Sequence, residues 1–309
     1  MDRILHSNRL YPLGQGASNY EITGIATKCC IVVLTDTVYS PTKDKVKLVR
    51  QQSSNDYIFL SMRNPFDAIM FFYENVLPTL SKPFTLLSGG SDATIPTQTT
   101  DFFREFNQKE QVAIEGIANH PLLKTWFCEN LISLELSPKC KPLLLGHNLE
   151  IPVLPFVKDV SNKDKLCFAC HVMHNYSKSA STTREKVNHL CVTDWKDFCD
   201  YFATLPHDKY AETMSEYKFC LCVQGGGIDP CPKLWHSIMM GTIPIVKRSS
   251  LSEALDHLTV YYVDDWTSDA LDPDVLGVFW ENNKHKIIDS QDKLFIDYWW
   301  DNYICKEYY

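Results

Sequence analysis

VQGGGIDPCPKLWHSIMMGTIPIV, residues 223–246, is the stretch that decides the fold. The residues leading into it, 217–223, are strand-forming and apolar. Gly225, Gly226 and Gly227 then allow positive φ and let a ligand approach bare backbone. Asp229 followed by Pro230 predicts a helix start, with Asp as N-cap and Pro at the first helical position. Leu234 with Ile238, and Trp235 with Met239, share one helical face that should meet a sheet, while Lys233 and His236 share another. Gly241 ends the helix and TIPIV (242–246) opens the next strand. This is a βαβ unit with its glycine loop at the carboxyl end of a strand, where open α/β sheets bind ligands. Such a loop before a helix favours an anion, usually phosphate. Asp229 must turn inward to cap, and Lys233 can supply positive charge. The plainer alternative is a tight turn with nothing bound. Neither GxGxxG nor GxxxxGK[ST] is present, which disfavours dinucleotide or ATP binding by those routes.

Working outward, strand-like segments at 28–34, 57–61, 83–87, 131–136 and 142–145 surround helical ones at 65–77 and 98–107. After an aperiodic stretch at 146–162 the alternation resumes. Strands are predicted at 165–172, 217–223, 242–246 and 259–264, with helices at 182–190, 195–205, 230–240 and 251–257. Repeated βα units imply mostly parallel sheets covered by helices. The expected architecture is therefore α/β, with two Rossmann-like domains, 1–150 and 151–290, facing each other across a cleft. A final aromatic helix, 291–303 within the segment 291–309, is expected to pack back across the junction.

Composition narrows the partners. The 309 residues carry a net charge of −8, which argues against nucleic acid or an anionic membrane surface. No signal peptide is visible and no apolar run is long enough to span a bilayer. The 12 cysteines are scattered through apolar segments of a large chain, so they are read as mostly free thiols in a reducing compartment. The sequon Asn175-Tyr176-Ser177 would matter only in a secreted protein.

Several stretches together resemble the exostosin-like glycosyltransferases, a family of GT-B fold. GGGIDPCPKLW followed by GTIPIV resembles its donor-binding element. KPFTLLSGGSD (82–92) with Ile95-Pro96, NHP (119–121) through Trp126 with Asn130, Pro138-Lys139 to Gly146, residues 261–266, and Tyr298-Trp299 resemble others, in the family's order from about residue 20 onward. The resemblance implies a nucleotide sugar, with a UDP-sugar as the expected donor, held mainly by the C-terminal domain. It implies a glycan or glycoprotein acceptor held by the N-terminal one, and an inverting, metal-independent hexosyl or pentosyl transfer without a cofactor. One position departs: where the family usually has Glu after the Trp of this helix, to hold the ribose hydroxyls, this chain has His236. Many members in nucleated organisms are anchored Golgi proteins; this chain opens on the domain itself, so a cytoplasmic enzyme, viral or microbial, is expected.

Inverting transfer needs a general base for the acceptor hydroxyl and donors or cations for the departing diphosphate. Asp92, on the turn after strand 83–87, is the first candidate base, against the commoner role of such an Asp in a turn or cap. Asp36 is the second. Arg184 is placed to meet the diphosphate unless it is a surface helix residue, and His120 and His147 fall in family-like elements. The substrate-binding candidates are Arg184, Gln224, Gly225, Gly226, Gly227, Asp229, Lys233, His236 and Lys247. Three motifs are set aside. Cys167-Phe-Ala-Cys170-His171 matches a haem-attachment pattern, and with His174 a zinc site, but strand geometry points positions three apart to opposite faces. Asp272-Pro-Asp274 matches DxD but precedes an apolar helix, so capping explains it. Lys247-Arg248-Ser249-Ser250 fits a solvated loop as well as a phosphate site. Two rival functions stand beside the transferase: a catalytically inactive glycan- or nucleotide-binding module, motivated by His236, and another Rossmann-type transferase such as a methyltransferase.

Overall fold

The aliphatic run Ile31-Val32-Val33-Leu34 sets the pattern of the first half. In the computed structural model, which describes residues 3–39, 41–148, 152–171, 173 and 178–306, it is a fully buried strand. Strand residues alternate between faces, and these do so cleanly. Ile31 and Val33 join one hydrophobic core, Val32 and Leu34 the other.

The chain opens with an antiparallel ribbon of β1 (Tyr11–Pro12) and β2 (Tyr20–Glu21). A six-stranded sheet follows, built from β3 (Ile31–Thr35), β4 (Val46–Arg50), β5 (Tyr57–Ser61), β6 (Phe84–Gly89), β7 (Leu123–Glu129) and β8 (Cys140–Leu143). Its order is β4-β3-β5-β6-β7-β8, parallel except for the antiparallel edge strand β4. Two helices, α1 (Pro65–Phe71) and α2 (Gln108–Ala118), cover it; Asn64 caps the first, and an Asn107–Glu110 capping box starts the second.

The second sheet is wholly parallel, ordered β10-β9-β11-β12-β13, with β9 (Lys165–Ala169), β10 (Cys199–Tyr201), β11 (Tyr217–Leu221), β12 (Ile243–Lys247) and β13 (Tyr261–Val263). Its helices are α3 (Lys178–Val192), α4 (His207–Ser215), α5 (Lys233–Met239), α6 (Ser252–Leu255) and α7 (Pro273–Gln291). Both sheets thus reverse their winding beside their first strand, at β3/β5 and at β9/β11. The architecture is the expected one, two Rossmann-like α/β units facing each other across a cleft.

The predicted helix at 98–107 is irregular, and the helix begins at Gln108, where Asn107 and Glu110 can cap it. Residues 131–136 form no strand, only a single bridge from Leu131 to Ile95; the adjacent strand is β7, buried except at Lys124 and Thr125. The 195–205 segment is not helical but contains β10. The expected boundary at 150/151 falls on residues outside those described, as does the Asn175 sequon.

The C-terminal segment is not one helix over 291–303. α7 ends at Gln291, Phe295 is extended, and a short α8 (Ile296–Trp299) runs into a wider-wound turn, Trp300–Ile304. This segment touches both units. The Tyr303 hydroxyl donates to the Pro142 carbonyl at 2.7 Å beside β8, while Trp299 meets Trp235 of α5 at 6.3 Å between ring centroids. The N-terminal strand-like segment closes the same seam, with amides of His6 and Ile296 exchanged against Leu294 and Ile4 carbonyls. Among the described residues no helix is long and apolar enough to cross a membrane.

Candidate functional site

The carboxyl ends of the two sheets face each other across a cavity of about 540 Å³. The first unit contributes Arg9, Asp92 and Leu145, and the second contributes Cys170, Arg184, Gly225, Gly226, Gly227, Asp229, Lys233 and His236; Leu154, Leu205 and Tyr210 make an apolar end. Cys170 and Gly225 follow β9 and β11, so the cavity sits at the switch point of the second sheet, where doubly wound folds bind ligands.

The glycine loop differs from its predicted conformation. None of Gly225, Gly226 and Gly227 has positive φ; the left-handed residue is Cys231, at φ 66°. The helix starts at Lys233, not at Pro230, and Asp229 does not cap it. The Asp229 carboxylate is used elsewhere. Its Oδ2 accepts from the Leu145 amide of the first unit at 3.0 Å, and its Oδ1 accepts from the Cys231 amide at 3.0 Å. Two loop amides are also taken: those of Ile228 and Asp229 donate to Asn130 Oδ1 at 2.8 and 3.0 Å. The glycines are needed for close approach. A Cβ on Gly226 would lie 2.4 Å from Asp92 Oδ2, and one on Gly227 would lie 2.3 Å from Asn130 Oδ1. The bare backbone therefore receives side chains of the opposite unit.

Asp92, at the end of the loop after β6, is half-buried. Burial raises its pKa above the usual carboxylate value, against the opposing pull of Arg9 and Arg184. Arg184 is buried on α3, with its Nε donating to the Gln224 carbonyl at 3.3 Å. Gln224 thus supplies a carbonyl to the site's margin. Lys233 lines the cavity while its amine donates to the Cys170 carbonyl. His236 is buried beside His147 and Tyr210, with ring centroids 5.9 and 6.0 Å away.

Burial likewise pushes the Asp229 carboxyl up to about 6, partly offset by the Leu145 and Cys231 amides, with the Asp92 charge adding to the rise. Beneath it, Glu129 at the end of β7 is raised to about 8. Burial is the main cause; the hydrogen bond from the Gly90 amide at 2.7 Å opposes it and the Asp229 charge reinforces it.

Other candidates lie apart. Lys247 is held in a surface ion pair with Asp265 at 2.8 Å, away from the cavity, because β12 carries it past the glycine loop. Asp36 is a loop staple that accepts from the amides of Gly16, Thr37 and Thr42; burial raises its pKa, but those bonds outweigh it and hold the carboxyl low. His120 packs at a tilt against Phe84, ring centroids 6.0 Å apart, and its Nδ1 accepts from the Leu122 amide at 3.3 Å. Asp272 caps α7, accepting from Asp274 and Val275. Cys167 is buried in the sheet, and His171 is held between Asn188 and the Leu221 carbonyl; His174 lies outside the described residues.

Sequence reasoning missed Arg9, Glu129 and Tyr210, and met Asn130 only through the resemblance. Arg9 lies in a segment without periodic signal, and Tyr210 on a helix whose only other apolar positions, Ala211 and Met214, are too few to announce it.

No family model matches the chain, and no curated protein matches it. Among solved structures it is similar to the spinosyn rhamnosyltransferase SpnG complexed with thymidine diphosphate, at 10% identity over 77% of this chain and 69% of that one, TM-score 0.38. It is similar to TarM at 8% identity over 86% and 61%, TM-score 0.39. It is also similar to the sucrose-phosphate synthase of Thermosynechococcus elongatus, at 11% identity over 79% and 70%, TM-score 0.43.

Proposed function

We propose that this chain is a GT-B glycosyltransferase that moves a sugar from a nucleotide-sugar donor, a UDP-sugar in the first instance, to a hydroxyl of a glycan, with inversion and without a metal. The observation that carries the reading is the meeting of Asp92 with Arg184 across a cavity that opens on the carboxyl ends of both sheets. A carboxylate of raised pKa from one unit faces the glycine loop and cationic wall of the other.

In this reading the nucleobase lies toward Leu154, Leu205 and Tyr210, and His236 hydrogen-bonds a ribose hydroxyl. Arg184 and Lys233 neutralise the diphosphate. They take over the role first expected of the helix start, because Asn130 holds two of the loop amides. Asp92 takes the proton of the acceptor hydroxyl as its oxygen attacks the anomeric carbon from the face opposite the leaving group. The bond from that carbon to the diphosphate oxygen breaks, and the nucleotide leaves with the electron pair.

The experiment is a melting-temperature panel of UDP, GDP, CMP and S-adenosylmethionine without added metal, followed by UDP-sugar hydrolysis and transfer assays. A ligand at about 100 Kd adds about 2.7 kcal/mol to native stability, enough to detect. A shift with UDP that Arg184→Ala removes supports the reading. Absence of a shift with every nucleotide refutes it. Binding of UDP without any turnover would leave the inactive-module alternative that His236 motivates.

A further inference from the structure

The geometry points to an anionic acceptor: a sugar unit bearing a carboxylate, sulfate or phosphate group that Arg9 and Arg63 bind beside Asp92. This inference rests on the transferase reading and names the substrate class of its acceptor side. A second cavity, of about 240 Å³, lies at the carboxyl ends of β3 and β5, where Thr37 and Arg63 follow their strands. That is the switch point of the first sheet, the place corresponding to the donor cavity in the second. It shares Arg9 and Asp92 with the larger cavity, so both open on the same carboxylate.

Of the arginines, Arg9 and Arg63 alone carry, among the described residues, a buried side-chain nitrogen with no hydrogen-bond partner. Arg3, Arg104 and Arg248 each pair with a carboxylate. Arg9 and Arg63 pair with none among the described residues, although acidic residues outnumber basic ones 38 to 30. In each, the unpartnered nitrogen is Nε. Arg63 rests its guanidinium on the Tyr20 ring, 5.0 Å from the centroid, which fixes the direction of its fork. Arg9 acts on the carboxyl groups of Asp92, Glu129 and Asp229, all three raised by burial, whereas Arg63 has no carboxylate paired with it among the described residues. Burying guanidinium donors without partners is costly, and a planar or tetrahedral oxyanion satisfies them bidentately.

The remaining wall suits a sugar ring. Tyr39 packs on Phe102 at 5.2 Å and Phe102 on Phe103 at 5.0 Å, giving the cavity that Arg9 and Arg63 line an aromatic wall as well. A cavity of about 240 Å³ falls below the roughly 300–1,000 Å³ of drug-sized pockets, so it suits one small unit and not an extended chain. A hydroxyl of that unit would then meet Asp92 while its anionic group meets Arg63.

The test uses the full chain saturated with UDP, which occupies the donor cavity, and measures binding of glucuronic acid, glucose 6-sulfate, glucose 6-phosphate and glucose by ligand-observed NMR titration. At least one anionic sugar should bind about tenfold more tightly than glucose, and the preference should fade with added salt. The arm that binds best identifies the group, and inorganic sulfate and phosphate alone control for simple ion binding. In Arg63→Ala the preference should vanish while the UDP melting shift persists, which shows a folded chain and intact donor side. Equal binding of all four sugars, equally tight binding of the bare ions, or a preference that survives Arg63→Ala, with the UDP shift present, overturns the inference and leaves the transferase reading standing. No UDP shift in the unaltered chain sinks both.

Discussion

Asp92 and Gly226 belong to different units, yet a single added carbon on Gly226 would stand 2.4 Å from the Asp92 carboxylate oxygen. The glycine loop is therefore the surface on which the candidate base rests. Gly226→Ala should displace Asp92, because a side chain this short has no flexible end to yield. An ångström of misplacement of a reacting group costs on the order of 100-fold in rate. We expect transfer to fall by about that factor, and by more than UDP binding weakens, since Gly226 also lines the donor cavity. Unchanged transfer in the Ala variant would show that Asp92 is not the reacting group.

Asn130 fastens the same seam from the next residue pair. It sits at φ 54°, a conformation that Asn tolerates, accepts from the Ile228 and Asp229 amides and donates to the Ser91 carbonyl at 3.0 Å. Asn130→Ala strands two amides and strains the backbone, for a loss of about 2 kcal/mol or more. The midpoint of denaturant unfolding should fall with an unchanged slope. A loss under half a kilocalorie would mean water replaces the side chain.

The stability of the seam should depend on pH through Glu129. Its native carboxyl is raised to about 8 by burial, so between its ordinary value near 4.5 and 8 the folded chain holds a proton that the unfolded chain has released. Stability from this group is full below pH 4.5 and lost as pH rises toward 8, on the order of 4 kcal/mol in all. His6, lowered by burial to about 4, acts oppositely, gaining stability from pH 4 to 6.5, and Lys163, lowered by burial to about 7, gains above pH 7. Both are common to the natural chain and Glu129→Gln, so the difference between them isolates Glu129. The Gln variant keeps an acceptor for Gly90 and should gain on the natural chain steadily from pH 5 to 8. A difference independent of pH would contradict the buried, protonated state.

How much of this was legible in the sequence can be judged from particular residues. The period-two core of β3 and the Gly241 stop announce βα units because burial alone produces them. The helix start failed at Asp229 because one carboxylate oxygen turns back on the Cys231 amide two residues on and the other serves the distant Leu145 amide, a long-range use that no local pattern reveals. Asn107 and Glu110 spell a capping box in plain sequence, so the start of α2 is legible there, whereas 98–107, with only Phe102, Phe103 and Phe106 apolar, stays irregular. Asp92, Arg184 and Lys233 stand at loop and helix positions the βα rule singles out. Arg63, just past β5, satisfies that rule too, whereas Arg9 comes from a segment that only the tertiary fold brings to the cleft.

The base itself gives the last prediction. Asp92→Asn should reduce transfer by 10²- to 10⁴-fold, the usual contribution of a general base, with UDP binding retained. In the natural chain the acid limb of kcat/KM should lie above the ordinary carboxylate value, because burial raises Asp92 and the base works only when ionised. Arg184 and Arg9 pull the other way. Removing Arg184 takes away a charge that favours the ionised form, so Arg184→Ala should move the acid limb to higher pH as well as weaken donor binding. Arg184→Lys should restore much of the limb's position, since the charge returns without the planar fork. A limb that stays fixed in Arg184→Ala would mean that the titrating group is not Asp92.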